Sequence, residues 1–119
     1  TFLFRDGRLA LVTGSPGGPT IINTVFQIIT NVIDFDMPVM QAVEAPRVHH
    51  QWLPDEMNYE RYGLSVDTIQ RLEEMGHRLV PTAGTGYQGD AESIGLDPVT
   101  GKLFGAADPR QADSRAVGL

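Results

Sequence analysis

The residues with the clearest capacity for chemistry are Gly14-Ser15-Pro16-Gly17-Gly18, set between a strand-like run and a long apolar segment. Consecutive glycines let a backbone approach a bound molecule closely, because no β-carbon stands in the way. Where such a pair opens a helix, N–H groups without helical partners face outward and the helix dipole favours negative charge. The Gly17 and Gly18 N–H groups are thus placed to hold an anion, or the oxyanion that develops on a carbonyl under attack. A plainer reading also fits: the glycines only permit a sharp turn into the helix. Spacing alone leaves both open. A phosphate loop fits less well, since no Gly-Lys-Ser/Thr follows. Ser15 precedes Pro16 and lacks the Gly-x-Ser-x-Gly frame of a nucleophile elbow.

Other polar residues read as structural. His49 and His50 are adjacent, and on extended backbone they point to opposite faces, so they cannot grip one metal together. His77 stands alone at a helix-to-strand turn. Asp34 and Asp36 lie at the helix end that disfavours carboxylates, and Arg47 is the expected ion-pair partner. Asp55 and Glu56 diverge as neighbours do, which suits a solvated loop better than a carboxylate dyad. Asp108-Pro109-Arg110 reads as a turn closed by the Asp side chain. Trp52 is a candidate apolar anchor at a core or subunit contact. No cofactor and no metal ligand set are expected.

These residues need elements to position them. Asp6-Gly7 between Phe2–Arg5 and Arg8–Thr13 predicts a tight hairpin, since both turn positions need positive φ. From Thr20 to about Phe35, apolar residues recur at steps of three and four, which predicts a buried helix. Pro19 fits its first turn. A second short helix is predicted from Pro38 to Glu44, stopped before Pro46. Arg47 to Pro54 reads as extended or loop, and Met57 to Glu60 as a short strand. Ser65 caps a further helix, with Asp67 in its first turn, a stripe of Val66, Ile69, Leu72 and Met75, and Gly76 just past its end. Strands are predicted over His77–Pro81, Ala91–Leu96 and Lys102–Ala107. The Gly- and Thr-rich stretch Thr82–Asp90 is expected to be a mobile loop. The last dozen residues are polar and aperiodic. Strands alternating with helices in this order predict an α+β domain, an antiparallel sheet with packed helices.

The 119 residues suffice for one domain, and 41% hydrophobic content supports a core. The net charge of −6, with nine basic residues scattered along the chain, gives no footprint for nucleic acid and no polybasic segment for a membrane surface. Polar residues interrupt the longest apolar stretch, Ile21–Met40, too often for a spanning helix. No signal-peptide pattern opens the chain. The absence of cysteine excludes disulfides and thiolate chemistry among these residues.

Gly14-Ser15-Pro16-Gly17-Gly18, Ile33-Asp34, Ala45-Pro46-Arg47, His49-His50-Gln51, Pro54-Asp55, Gly76-His77 and Gly105-Ala106-Ala107-Asp108-Pro109-Arg110 follow one another in order. The succession resembles the C-terminal part of the small subunit of γ-glutamyltransferases, also called glutathione hydrolases, over nearly the whole chain. The resemblance implies part of the four-layered αββα fold of N-terminal-nucleophile hydrolases, with residues 1–119 a single-domain C-terminal fragment of the catalytic subunit. It implies an enzyme in which an N-terminal threonine attacks a γ-glutamyl amide and the acyl group passes to water, an amino acid or a dipeptide. Gly17 and Gly18 would then hold the oxyanion. The nucleophile and a serine pair contacting the donor would lie upstream of Thr1, which reads as a hairpin strand residue at a fragment boundary rather than as the nucleophile. The fragment alone is expected to be inactive, and to pack against the remainder of the small subunit and the large subunit, or to self-associate. The resemblance also implies a periplasmic or secreted setting. Related readings are a cephalosporin acylase, a poly-γ-glutamate-processing enzyme, or a non-catalytic assembly domain.

Overall fold

A computed structural model describes residues 1–84 and 86–118; Thr85, in the predicted Thr82–Asp90 loop, and Leu119 lie outside the described residues. The chain opens with the expected hairpin, β1 (Phe2–Arg5) and β2 (Arg8–Gly14), closed by Asp6 at φ 51° and Gly7 at φ 74°. β2 then pairs antiparallel with β6 (Glu92–Leu96), and β6 with β7 (Leu103–Ala106), giving a sheet of order β1-β2-β6-β7. Alternation along these strands sends Leu11, Thr13, Ser93, Gly95 and Ala106 to one face. There α1 (Ile21–Ile33) and α2 (Val39–Glu44) cover them, and Leu11, Ile28, Ala42, Val43, Ala91 and Ala106 form the buried core. Gly95 has no room for a β-carbon, because Val39 of α2 rests on it.

The opposite face carries the cross-strand row Phe2, Val12 and Ile94. Phe2 is 69% exposed. This sheet therefore has one packed face and one apolar face open to solvent. The long helix shows the same asymmetry. It was expected to be buried, yet only Thr24 and Ile28 are fully enclosed, while Ile22 and Phe26 on its other side are 77% and 65% exposed. The sequence has an apolar stripe wider than this chain can cover.

A second sheet of order β3-β4-β5 combines β3 (Val48–His49), β4 (Met57–Tyr59) and β5 (Leu79–Pro81). β3 and β4 are antiparallel, and β4 and β5 are parallel, joined by the crossover helix α3 (Val66–Glu74). The parallel pair adds a mixed sheet to the antiparallel one anticipated. Ser65 caps α3 as expected, accepting from the Thr68 N–H at 3.1 Å. At its other end the Gly76 N–H reaches Glu73 O and the His77 N–H reaches Leu72 O, a Schellman closure with Gly76 at φ 95°. Gln27 of α1 completes the edge of the small sheet: its amide donates to Val48 O at 2.8 Å and accepts from the Val48 N–H at 2.9 Å.

Candidate functional site

The pentapeptide Gly14–Gly18 leaves β2 and enters a short 3-10 turn, Gly18–Thr20, that runs straight into α1. Gly17 takes φ 137° and Gly18 φ 56°, backbone conformations that L side chains resist. A β-carbon on Gly17 would lie 2.6 Å from Thr20 Oγ1, so the close packing itself requires glycine there. One on Gly18 would meet no atom within 4 Å, so the space beside that residue is open. Among the described residues, neither the Gly17 nor the Gly18 N–H donates to a carbonyl or side chain of the chain. The Gly17 carbonyl, by contrast, accepts from the Thr20 N–H at 3.2 Å and from Thr20 Oγ1 at 2.9 Å.

The loop before β6 braces this turn. The Asp90 N–H donates to Ser15 Oγ at 2.9 Å, and Gly89 Cα comes within 3.4 Å of where a Gly17 β-carbon would be. Gly89 is itself closely packed, because a β-carbon there would lie 2.6 Å from Thr24 Oγ1 and 2.8 Å from Ser15 Oγ. The C-terminal end of the stretch expected to be mobile, and the residue after it, are held at backbone groups. The Gln88 N–H donates to Glu60 Oε1 at 2.7 Å, Arg47 donates to Gln88 O at 2.7 Å, and the Ala91 N–H donates to Asp108 Oδ2 at 2.7 Å.

Those clamps belong to a buried ionic cluster that sequence reasoning missed. Arg47 bonds Asp108 at 2.7 Å, and Arg110 bonds Glu60 at 2.6 Å and Asp108 at 3.1 Å. Two guanidiniums and two carboxylates thus balance in charge, as buried ions must. Burial works against the Asp108 carboxylate, but N–H donors from Ala91 and Arg110 and the Arg47 guanidinium outweigh it and hold its carboxyl below the usual range. Burial lowers the Arg47 guanidinium, with Arg110 adding to it, whereas Glu60 and Asp108 overcome burial at Arg110 and raise it. Arg47 was expected to pair with Asp34 or Asp36; it is buried and pairs with Asp108, because a guanidinium taken out of water needs an equally buried carboxylate, and it also donates to Val43 O at 2.9 Å. The Asp108–Arg110 turn is closed by the Asp side chain as expected, through Arg110 N–H to Asp108 Oδ1 at 3.1 Å. The only sequence hint of the cluster is a pair of Pro-Arg dipeptides, since partners up to 61 residues apart leave no local pattern.

The other candidates separate as expected. His49 is buried with Nε2 3.0 Å from Gln51, while His50 faces outward, 3.1 Å from Asp55. Asp55 is solvated, and Glu56 pairs with Arg78 at 3.4 Å. Trp52 is 76% exposed and meets no core in this chain. Among the described residues no three His, Asp or Glu side chains converge as metal ligands. Thr1 extends the β1 ladder, its carbonyl accepting from the Thr13 N–H at 3.0 Å.

Residues 1–118 match the family model for gamma-glutamyltranspeptidase. The chain belongs to the gamma-glutamyltranspeptidase family. It is 45% identical to the glutathione hydrolase proenzyme of Escherichia coli K12, over 99% of this chain and 20% of the relative. A solved gamma-glutamyltranspeptidase from Helicobacter pylori, the T380A mutant, superposes with TM-score 0.86 at 42% identity, covering 93% of this chain and 59% of that one. A cephalosporin acylase from Bacillus halodurans gives TM-score 0.85 at 28% identity, covering 96% and 21%. This member of the family therefore has the anticipated α+β architecture, part of the N-terminal-nucleophile hydrolase fold. It spans about a fifth of the length of the curated relatives it matches.

Proposed function

We propose that this chain is the oxyanion-binding C-terminal segment of an enzyme that cleaves the γ-glutamyl amide of glutathione or a related compound. The reaction proceeds through a γ-glutamyl-enzyme, and the acyl group passes to water, an amino acid or a peptide. The observation that carries the reading is the pair of Gly17 and Gly18 N–H groups, both without acceptors among the described residues, with open space beside Gly18. Two preorganised donors aimed at the carbonyl oxygen stabilise negative charge only as it develops, which lowers the barrier rather than tightening substrate binding.

The strand register supports the same placement. Thr1 lies opposite Thr13, so a residue preceding Thr1 on this strand would come abreast of Gly14, at the edge of the glycine turn. A serine pair there would reach a donor held by the two amides. The nucleophilic threonine, the donor pocket and the large subunit belong to the rest of the polypeptide, and the open faces of β1-β2-β6-β7 and α1 are where they would pack. Identity of 35–45% to bacterial glutathione hydrolase proenzymes against 28% to the cephalosporin acylase favours the γ-glutamyl donor over another acyl group.

The test is Gly18→Ala in the complete protein. A β-carbon there meets no atom, so its effect falls on the amide's direction and on the space in front of it. Turnover of a γ-glutamyl anilide is expected to fall by about 10²-fold, while stability falls only by the roughly 1 kcal/mol that an L residue costs at φ 56° and the protein stays folded at the assay temperature. Unchanged turnover would reduce the glycines to a turn and leave an assembly role for this segment.

A further inference from the structure

Each amide of the glycine pair sits in a peptide plane whose carbonyl is held by a hydroxyl. A trans peptide is flat, with C=O and N–H pointing in opposite directions, so fixing the carbonyl fixes the aim of the N–H. The Gly17 N–H shares its plane with the Pro16 carbonyl, and Ser15 Oγ–H donates to Pro16 O at 2.6 Å. The Gly18 N–H shares its plane with the Gly17 carbonyl, and Thr20 Oγ1–H donates to Gly17 O at 2.9 Å. The Ser15 hydroxyl has a single proton. Its oxygen already accepts the Asp90 N–H at 2.9 Å, which leaves that proton for Pro16 O. Glycine lacks the steric walls that confine other residues, so these contacts, with the Thr20 N–H bond to Gly17 O at 3.2 Å, are what hold the two planes.

We propose that Ser15 and Thr20 are positioning residues whose hydroxyls set the direction of the Gly17 and Gly18 N–H groups. Ser15 also carries the brace from the 88–91 loop to the turn, since the backbone held by Glu60, Arg47 and Asp108 ends on its oxygen. Thr20 acts locally, within the 3-10 turn. The inference rests on the oxyanion role of the glycine pair, so its test must tell the two apart.

The experiment uses the complete protein carrying Ser15→Ala, Ser15→Thr, Thr20→Val, Thr20→Ser or Gly18→Ala, with turnover counted per titrated active site so that unprocessed or misfolded molecules drop out. Ser15→Ala and Thr20→Val each remove one hydroxyl, the latter without changing shape. They are expected to lower kcat by about tenfold or more and to leave KM within about threefold, because a misaimed donor costs transition-state and not ground-state binding. Ser15→Thr and Thr20→Ser, which keep the hydroxyl, are expected to recover most of the rate. If Ser15→Ala yields no active sites to titrate, Ser15→Cys, close in size and a weaker donor, takes its place under the same criterion. The proposal is overturned if the hydroxyl-free variants keep kcat within about twofold of the parent, or raise KM alone, while Gly18→Ala is impaired. If Gly18→Ala is itself unimpaired, the oxyanion reading fails and this inference falls with it.

Discussion

Asp108 has two guanidiniums and two backbone N–H groups converging on a fully enclosed carboxylate. Removing its charge leaves Arg47 and Arg110 facing Glu60 alone, with a buried excess of positive charge. Asp108→Asn is therefore predicted to destabilise the protein by about 3–5 kcal/mol, read by denaturant unfolding. The folded carboxyl titrates below its unfolded value, so the native state holds fewer protons in that window. Its stabilisation is complete above the unfolded carboxylate pKa of about 4 and drains away as pH falls further, through the folded value. Asp108→Asn should flatten the acid limb of a stability-against-pH curve. Asp90 behaves in the opposite sense. Burial and the neighbouring Asp108 and Glu92 push its carboxyl up, and its Oδ1 is buried without a partner among the described residues. The native state then binds the extra proton, and stability declines as pH rises from the ordinary Asp value to the raised one. Asp90→Asn is predicted to raise the melting temperature at neutral pH; a lower one would show that the carboxylate has a partner in the complete protein.

At the scale of elements, α3 depends on its ends. Its packed side contributes only Ile69 and Leu72, both half-buried, while Val66 and Met75 of the expected stripe are 80% and 73% exposed. Ser65→Ala removes the acceptor for the Thr68 N–H and is predicted to cost about 1 kcal/mol. Gly76→Ala forces a β-carbon onto φ 95° and is predicted to cost about 1 kcal/mol as well. Chemical denaturation checks both, and amide exchange across residues 66–74 should quicken in each variant. Caps of this kind were legible in the sequence because they depend on residues three or four apart. The crossover that makes β4 and β5 parallel was not, because a three-residue strand carries too little pattern to declare its direction.

Across the whole molecule, the exposed apolar surface exceeds what a self-contained fold leaves open. The Phe2, Val12, Ile94 row and the Ile22, Phe26 side of α1 are two separate faces, and both lie on elements whose other face is packed. An apolar hollow of about 690 Å³ between β1, the end of α1 and β7, lined in part by Leu3, Val32, Met37 and Phe104, adds a third. Expressed by itself, the chain is predicted to associate and to bind an apolar dye, and to lose both properties when the rest of the polypeptide is supplied. Sedimentation velocity with and without that complement reads the outcome. A monodisperse, dye-free chain would mean that these faces do not need a partner.

The sequence by itself determined the hairpin, the long helix, the capped helix, the family and the glycine pair, because each is written in neighbouring residues: turn conformations, helical periodicity, capping side chains and short motifs. Tertiary structure alone decided that Arg47 joins Asp108 rather than Asp34 or Asp36, that the 88–91 backbone is clamped where Gly and Thr content suggested mobility, and that Ser15 links that loop to the glycine turn. These contacts join residues 17 to 75 positions apart. Their formation depends on how layers stack, and the choice among possible partners is made by burial, which no local pattern encodes.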